Sequence, residues 1–550
     1  MEVFGQRAGD VLPRGLYNAS LLLYYLGMAK GSSETKPEKR LLLPKWSMPA
    51  IFCMLAFQVA SLFYDCGFSS YDDGVAAEGA RLVLHGKVPY SDFWTIYSPG
   101  SFYANALGLA VLGERLISIR ALGLLQAILQ ALLVYGILRR TARAAWAMVA
   151  SGALFLALMP LGALTWWFTI AMAAAYCLAR AIEQPESRWT YACGLGIGIA
   201  ALFRQDVGAY LALAALLLIY AAAHGSSRER TAPVLRALGA TAAMIVAAVA
   251  YLSAKGALVP MIEQAVRFAI VEYPGSRPTP YPIPWREVLV IGSYSAPVSI
   301  SMLYQLYGFY LMPAILLVIG GLSVHRKAKE GGDRREVVAT SLIWLALAMF
   351  LMVRVRPSGA RILMSAALSG IAMAGLVTSR NRAVRTGAAA GLVLSLAAFI
   401  PFGAYTIWAQ RSYATSAISG RGRVYAAKGP SEYLSVVSSR IRALTSPSEK
   451  ILAGAPIIYF LSDRDPVTRD YEPHPRMTDT AYTQHDIIRD IEKNHMRFFV
   501  RSREWGMDSY FTIEPTNQPR ILIDYIERNY KVREDYTIFQ IYERKTPFAH

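Results

Sequence analysis

The chain has 550 residues, 54% of them hydrophobic and only 17% charged. That composition, with a mean hydropathy of +0.32, excludes an ordinary soluble globular protein and calls for many membrane spans. The formal net charge is +18, from 56 Lys+Arg against 38 Asp+Glu, but the cations cluster between apolar spans as the positive-inside rule requires, so nucleic acid is not an expected partner.

Residues 1–45 read as a cytoplasmic segment. Their apolar run, Leu16 to Ala29, is short for a span, and Lys30, Lys36, Lys39, Arg40 and Lys45 mark this side as cytoplasmic. Residues 46–408 read as the transmembrane domain. Its first span, Trp46 to Phe68, runs outward as a permanent anchor, which places the loop 69–115 outside. That loop is the most polar stretch in the first two-thirds of the chain. It carries Asp72, Asp73 and Asp92 with no cationic sequence neighbour. Acids beside a membrane are costly unless they bind or react with something, so this loop is the expected active site.

Within it, Asp73 to Gly86 reads as a short amphipathic helix lying along the membrane surface. Val75, Ala76, Gly79, Leu82 and Val83 share one face; Glu78, Arg81 and His85 share the other. Asp72 stands at its N-terminus, where a plain capping role would explain it, although capping needs only one acid of the pair. Pro99 to Gly113 reads as a second surface helix.

Regular spans follow at 116–138, 144–160, 164–182, 191–203, 207–223, 237–254, 303–324, 337–353, 362–377 and 387–408, so that there are about eleven in all. A long Pro- and Tyr-rich outer loop separates 254 from 303. Arg204, Arg354, Arg356 and Arg361 break the charge rule by falling outside. Snorkelling to headgroups would accommodate any one of them, but the set beside an acidic loop calls for an anionic partner such as a lipid phosphate. Cys53, Cys66, Cys177 and Cys193 lack metal-ligand spacing and read as small hydrophobes. From 409 to 550 the composition turns soluble. Strand-like ILAGAP, IIYFL, RFFVRSR and TIFQIYER alternate with helix-like TQHDIIRDIEKNHM and RILIDYIERNY, which gives a small α/β domain outside the membrane.

The Asp pair after the first span, then Gly86-Lys-Val-Pro-Tyr-Ser-Asp-Phe93, Ser98-Pro-Gly100 and an apolar helix resemble the type C membrane glycosyltransferases. The likeness is to the protein O-mannosyltransferase and lipid A aminoarabinose transferase branch, and it is densest from Tyr71 to Arg140. It implies a polyprenyl-phosphate sugar donor and Asp72 as the base on an acceptor hydroxyl. Asp73 and Asp92 would support the site, with His85 near them. Arg204 would contact the donor phosphate, and Arg354, Arg356 and Arg361 resemble a basic outer segment of the family. No cofactor is expected; a divalent ion at Asp72, Asp73, His85 and Asp92 is the less favoured arrangement. The acceptor is a glycan, a lipid or a protein. The expected location is the plasma membrane (the inner membrane of a bacterium), among lipids, with site and C-terminal domain outside the cytoplasm.

The residues alone fit that chemistry. Inverting displacement of a phosphate at an anomeric carbon needs a carboxylate for the attacking hydroxyl and cations for the leaving phosphate. It does not need the acid–base pair of glycosidases. The competing reading is a transporter or flippase of a lipid-linked anionic glycan, which would place ionisable residues at the midplane of broken helices.

Overall fold

The computed structural model describes residues 46–159, 164–273, 280–282, 295–330, 333–354, 356–472, 480–503 and 520–546. The N-terminal segment 1–45 and most of the Pro/Tyr-rich loop lie outside the described residues. Pro49–His550 forms one unit.

Fourteen helices are distinguished here before the C-terminal domain. They are α1 (Ser47–Ser61), α2 (Asp72–Leu84), α3 (Gly100–Leu112), α4 (Leu116–Thr141), α5 (Ala145–Leu158), α6 (Trp166–Glu183) and α7 (Trp189–Phe203). Then come α8 (Gln205–Ala222), α9 (Ser227–Ala254), α10 (258–271), α11 (296–330), α12 (Arg334–Phe350), α13 (Gly359–Leu376) and α14 (Arg382–Tyr413). Among the described residues, seven helices are long and apolar enough to cross a membrane: α4, α8, α9, α11, α12, α13 and α14. The chain is a multi-pass membrane protein.

Local sequence explains the boundaries. Ser226 and Glu229 close a capping box at the start of α9, and Asn381 caps α14 by accepting from Val384 N–H. Arg139 and Arg140 sit in the last turn of α4, where cations suit the negative end of the helix. Small residues let the bundle close. A Cβ on Gly194 would lie 2.0 Å from the Ala237 carbonyl oxygen, and one on Gly403 would lie 2.2 Å from that of Ala157. Such approaches are how apolar helices gain packing where lipid offers no hydrophobic drive.

After α14 come β1 (Ser416–Ala417), β2 (Tyr425–Ala426), α15 (Lys428–Leu444), β3 (Leu452–Ala453), α16 (Ile457–Ser462), α17 (Ala481–Lys493), β4 (Phe498–Ser502), α18 (Ile521–Asn529), β5 (Tyr530–Asp535) and β6 (Phe539–Arg544). Strands β3-β4-β6-β5 form one sheet, with β3 and β4 parallel and the other pairs antiparallel. The segment mixes helices and strands, with helix α15 and strand β5 besides those expected, and one expected strand is absent. IIYFL is helix α16, not a strand. All six of its residues are buried, so its sequence carries no face to tell a strand from a helix.

The larger correction concerns α2. It is not an amphipathic helix with a wet polar face, because every residue from Asp73 to Leu82 is buried. One hydrophobic core joins Val75, Ala77 and Ala80 of α2 and Phe102 of α3 to Leu434, Ile457, Tyr471, Val500 and Ile541 of the C-terminal segment. Loop and C-terminal domain are thus one cap. The expected polar face is satisfied inside it. Arg81 donates to both oxygens of Glu78 at 2.9 and 2.7 Å and to Asp465 at 2.7 Å. Burial pushes the Glu78 carboxyl up, against the pull of Arg81. Helix α3 fits the surface-helix reading better: Tyr103, Leu107 and Val111, four residues apart, are exposed along one apolar stripe.

Candidate active site

The two acids that begin α2 have different surroundings. Asp73 is buried and its Oδ2 accepts from Arg120 Nη2 at 2.5 Å and from the Ser69 N–H at 2.9 Å. Ser69 reciprocates, its Oγ accepting from the Asp72 N–H at 3.1 Å. Together they lock the first turn in the manner of a capping box. Arg120, one turn into α4, also donates to the Gly67 carbonyl at 3.0 Å. Asp73 thus ties the start of α2 to α4. The Asp72 side chain is exposed.

Close packing fixes the turn from behind. A Cβ on Gly74 would lie 2.4 Å from Ile457 N at the start of α16, and one on Gly79 would meet the Phe102 ring at 2.5 Å. Only residues without side chains allow α2 to approach that backbone and ring.

The segment from Val88 to Gly100 runs beside this turn. Asp92 Oδ2 accepts from the Val88 N–H at 2.7 Å and so closes a local turn. Tyr90 is fully buried with a left-handed backbone, φ +74°, a conformation that side-chain-bearing residues hold only when neighbours over-determine it. Here they do: its carbonyl accepts from Arg469 at 2.7 Å and from Gln264 at 3.0 Å, and its hydroxyl donates to the Tyr97 carbonyl at 2.8 Å. Further on, Thr95 Oγ1 donates to Glu472 Oε2 at 3.3 Å, and Ser98 Oγ donates to Gln205 Oε1. Glu472 Oε1 accepts from Tyr71 Oη at 2.9 Å.

Gln205 opens α8, next to the cations. Arg204 donates to both oxygens of Asp206 at 2.8 and 3.1 Å and lies 5.0 Å from the Trp167 ring centroid. Arg361, in the first turn of α13, donates to Asp206 at 3.4 Å. Arg356 donates to Tyr273 Oη at 3.5 Å and is an electrostatic neighbour of Arg361. Two guanidiniums thus share one carboxylate, with the third beside Arg361. Three residue steps, at most about 11 Å of chain, lead from Thr95 in the acid loop to Ser98 on Gln205.

The structure accordingly brings Arg204, Arg356 and Arg361 together and puts Asp72 beside Asp73. Arg354 is exposed on the 3-10 turn that follows α12. His85 is not brought to the acid pair. It caps the far end of α2, about 20 Å from Asp72 at 1.5 Å per residue, and contacts Glu114 at 3.2 Å. The sequence reading missed Arg120, Asp206, Gln264 and Glu472. Of these only Asp206 had a local signal, an acid two residues after Arg204 in the first turn of a helix.

Residues 97–252 match the family described as Dolichyl-phosphate-mannose-protein mannosyltransferase. Among solved structures, the chain is similar to ArnT from Cupriavidus metallidurans in the apo state. They share 14% identity over 90% of this chain and 96% of that one, with a TM-score of 0.51. The same protein bound to undecaprenyl phosphate has the same identity and coverage and a TM-score of 0.49. Arabinosyltransferase EmbB from Mycobacterium smegmatis is 19% identical over 66% of this chain and 32% of that chain, with a TM-score of 0.39. No curated protein matches. The expected resemblance to the type C membrane glycosyltransferases is borne out by the matched segment, which begins after the acid pair, and by the shared fold.

Proposed function

Starting from a multi-pass membrane protein with the fold and a family segment of the type C membrane glycosyltransferases, we propose that it moves a monosaccharide from a polyprenyl-phosphate donor to an acceptor hydroxyl with inversion. The carrying observation is the division of labour at the start of α2. Asp73 is buried and held by Arg120 and Ser69, whereas Asp72 beside it is exposed, where an incoming acceptor can reach it. The family description, with dolichyl phosphate as the sugar carrier, supports the donor class.

In the proposed reaction the acceptor oxygen attacks the anomeric carbon and the bond from that carbon to the phosphate oxygen breaks. The hydroxyl proton goes to Asp72, and the polyprenyl phosphate leaves with one more negative charge than the diester carried. Arg204, Arg356 and Arg361 face that developing charge, where fixed cations lower a barrier most. The step is written with a carboxylate base and guanidiniums, and without a metal. About eleven spans would place the cap and both halves of the site on the outer face of a bacterial inner membrane, with residues 1–45 in the cytoplasm. Sugar and acceptor are set by the experiment.

That experiment is transfer from a panel of radiolabelled polyprenyl-phosphate sugars into membrane acceptors, comparing the wild type with Asp72→Asn. Loss of a general base predicts a fall of about 100-fold or more. Equal labelling by both proteins removes Asp72 from the chemistry. Failure of every donor brings forward transport of a lipid-linked anion.

A further inference from the structure

We propose that Glu472, contributed by the C-terminal segment, is a positioning residue for transfer: it holds the turn that bears Asp72 and the extended segment that leads to the arginines in one fixed relation. The inference rests on the reading of Asp72 as the base. Glu472 is fully buried, and its two oxygens are divided between two elements. Oε1 takes the hydroxyl of Tyr71, the residue before Asp72, at 2.9 Å. Oε2 takes the hydroxyl of Thr95 at 3.3 Å. Thr95 is held in turn, its N–H donating to Gln264 at 3.1 Å and its Oγ1 accepting the Tyr97 N–H at 3.2 Å. Ser98 then rests on Gln205, the neighbour of Arg204.

A buried carboxylate is expensive unless it is hydrogen-bonded, and an apolar side chain would fill the same space at less cost. What the carboxylate adds is two acceptors at a fixed separation. One carboxyl group thereby joins the turn bearing the base to the segment leading to the phosphate cations. The C-terminal segment is then a working part of the site and not an appended module.

The test uses the full-length protein in lipid nanodiscs, with kcat and donor KM measured per folded molecule and binding of undecaprenyl phosphate measured separately. Wild-type transfer that Asp72→Asn abolishes must be seen first; without it the reading of the base fails, whatever Glu472 does. Given that, Glu472→Ala is expected to lower kcat about 10- to 100-fold, the scale of a small misplacement of a reacting group. Donor KM and undecaprenyl phosphate binding should stay within about 2-fold, since the arginines are untouched. Glu472→Gln, which keeps one acceptor oxygen, should lose less. Tyr71→Phe combined with Glu472→Gln should be no worse than the weaker single variant, because both break one linkage. Arg503→Ala, at an exposed pair with Asp535 on the same domain, should match the wild type. The proposal is overturned if Glu472→Ala keeps its kcat, if kcat and donor binding fall together, or if the double variant's losses add. Should Glu472→Ala fail to fold, Glu472→Gln and Tyr71→Phe decide the question by the same criteria.

Discussion

Around Asp72 the neighbours are each fixed by a partner from elsewhere in the chain. Arg120 holds Asp73, Glu472 holds Tyr71, and the backbone of α16 lies against Gly74. Around Arg204 and Arg361, by contrast, one carboxylate serves two guanidiniums, with Arg356 close by. In the first a buried carboxylate is matched by one guanidinium; in the second, among the described residues, one carboxylate is shared by two. A base must stand within hydrogen-bond reach of one proton, and rigidity serves that. A phosphate must be received as a diester and released with more charge, and cations that share a carboxylate serve that.

The largest expected effect tests whether the two acids really differ. Asp73→Asn leaves Arg120 buried without its counter-charge, a loss of about 3–5 kcal/mol for a broken buried pair. Asp72→Asn, at an exposed position, should cost less than about 0.5 kcal/mol. Thermal unfolding in detergent reads both, and equal losses would break the distinction. Replacing Arg120 by Gln in the Asp73→Asn protein should recover part of the stability.

Next in size is the cationic side. Arg361→Ala or Arg204→Ala should weaken binding of undecaprenyl phosphate about 10- to 100-fold, as a lost charge-assisted hydrogen bond would. Asp72→Asn should leave that binding alone. Titration with the labelled lipid separates them, and a weaker complex with Asp72→Asn would merge two regions described here as distinct.

A third prediction concerns pH and the C-terminal segment around Arg469, whose carbonyl accepts from the Trp94 N–H in the acid loop. Burial raises the Asp470 carboxyl to about 6; Arg469 opposes the shift, and Asp490 and Asp486 add to it. The folded chain therefore holds this proton more tightly than the unfolded chain, whose Asp titrates near 3.9. Stability is highest below the unfolded value, falls as pH rises from about 4 through 6, and stays reduced above. Asp470→Asn should be more stable than the wild type at pH 7 by on the order of 2 kcal/mol, with the gain gone by pH 4. Unfolding midpoints at the two pH values check it. The smallest effect is Tyr90→Phe, which removes the bond to the Tyr97 carbonyl and should cost about 1 kcal/mol.

Much of this was legible in the sequence, for reasons that also mark its limits. Long apolar runs and Lys/Arg clusters report on membrane insertion directly, so the spans and the acid loop stood out. The burial of α2 did not. Its 3.6-residue pattern is the same whether Glu78 and Arg81 face water or each other, and only Asp465, 384 residues from Arg81, decides between them. The roles of Asp72 and Asp73 were equally hidden. Two adjacent acids are alike until Arg120, 47 residues from Asp73, chooses one. Glu472 lies 401 residues from Tyr71, and no local pattern could have joined them.

The shared core of the cap has a consequence for how the protein is made. Its first half, from Tyr71 to Ile119, is synthesised early, and its second half begins only at Ile418. At 5–20 residues per second the ribosome needs roughly 15–60 s to cover the interval. During that time α2, with apolar residues on nearly every side, has been made while its permanent neighbours have not. The acid loop of a nascent chain is therefore a client in waiting, for the lipid surface or a chaperone, and its core closes only when the last strands arrive.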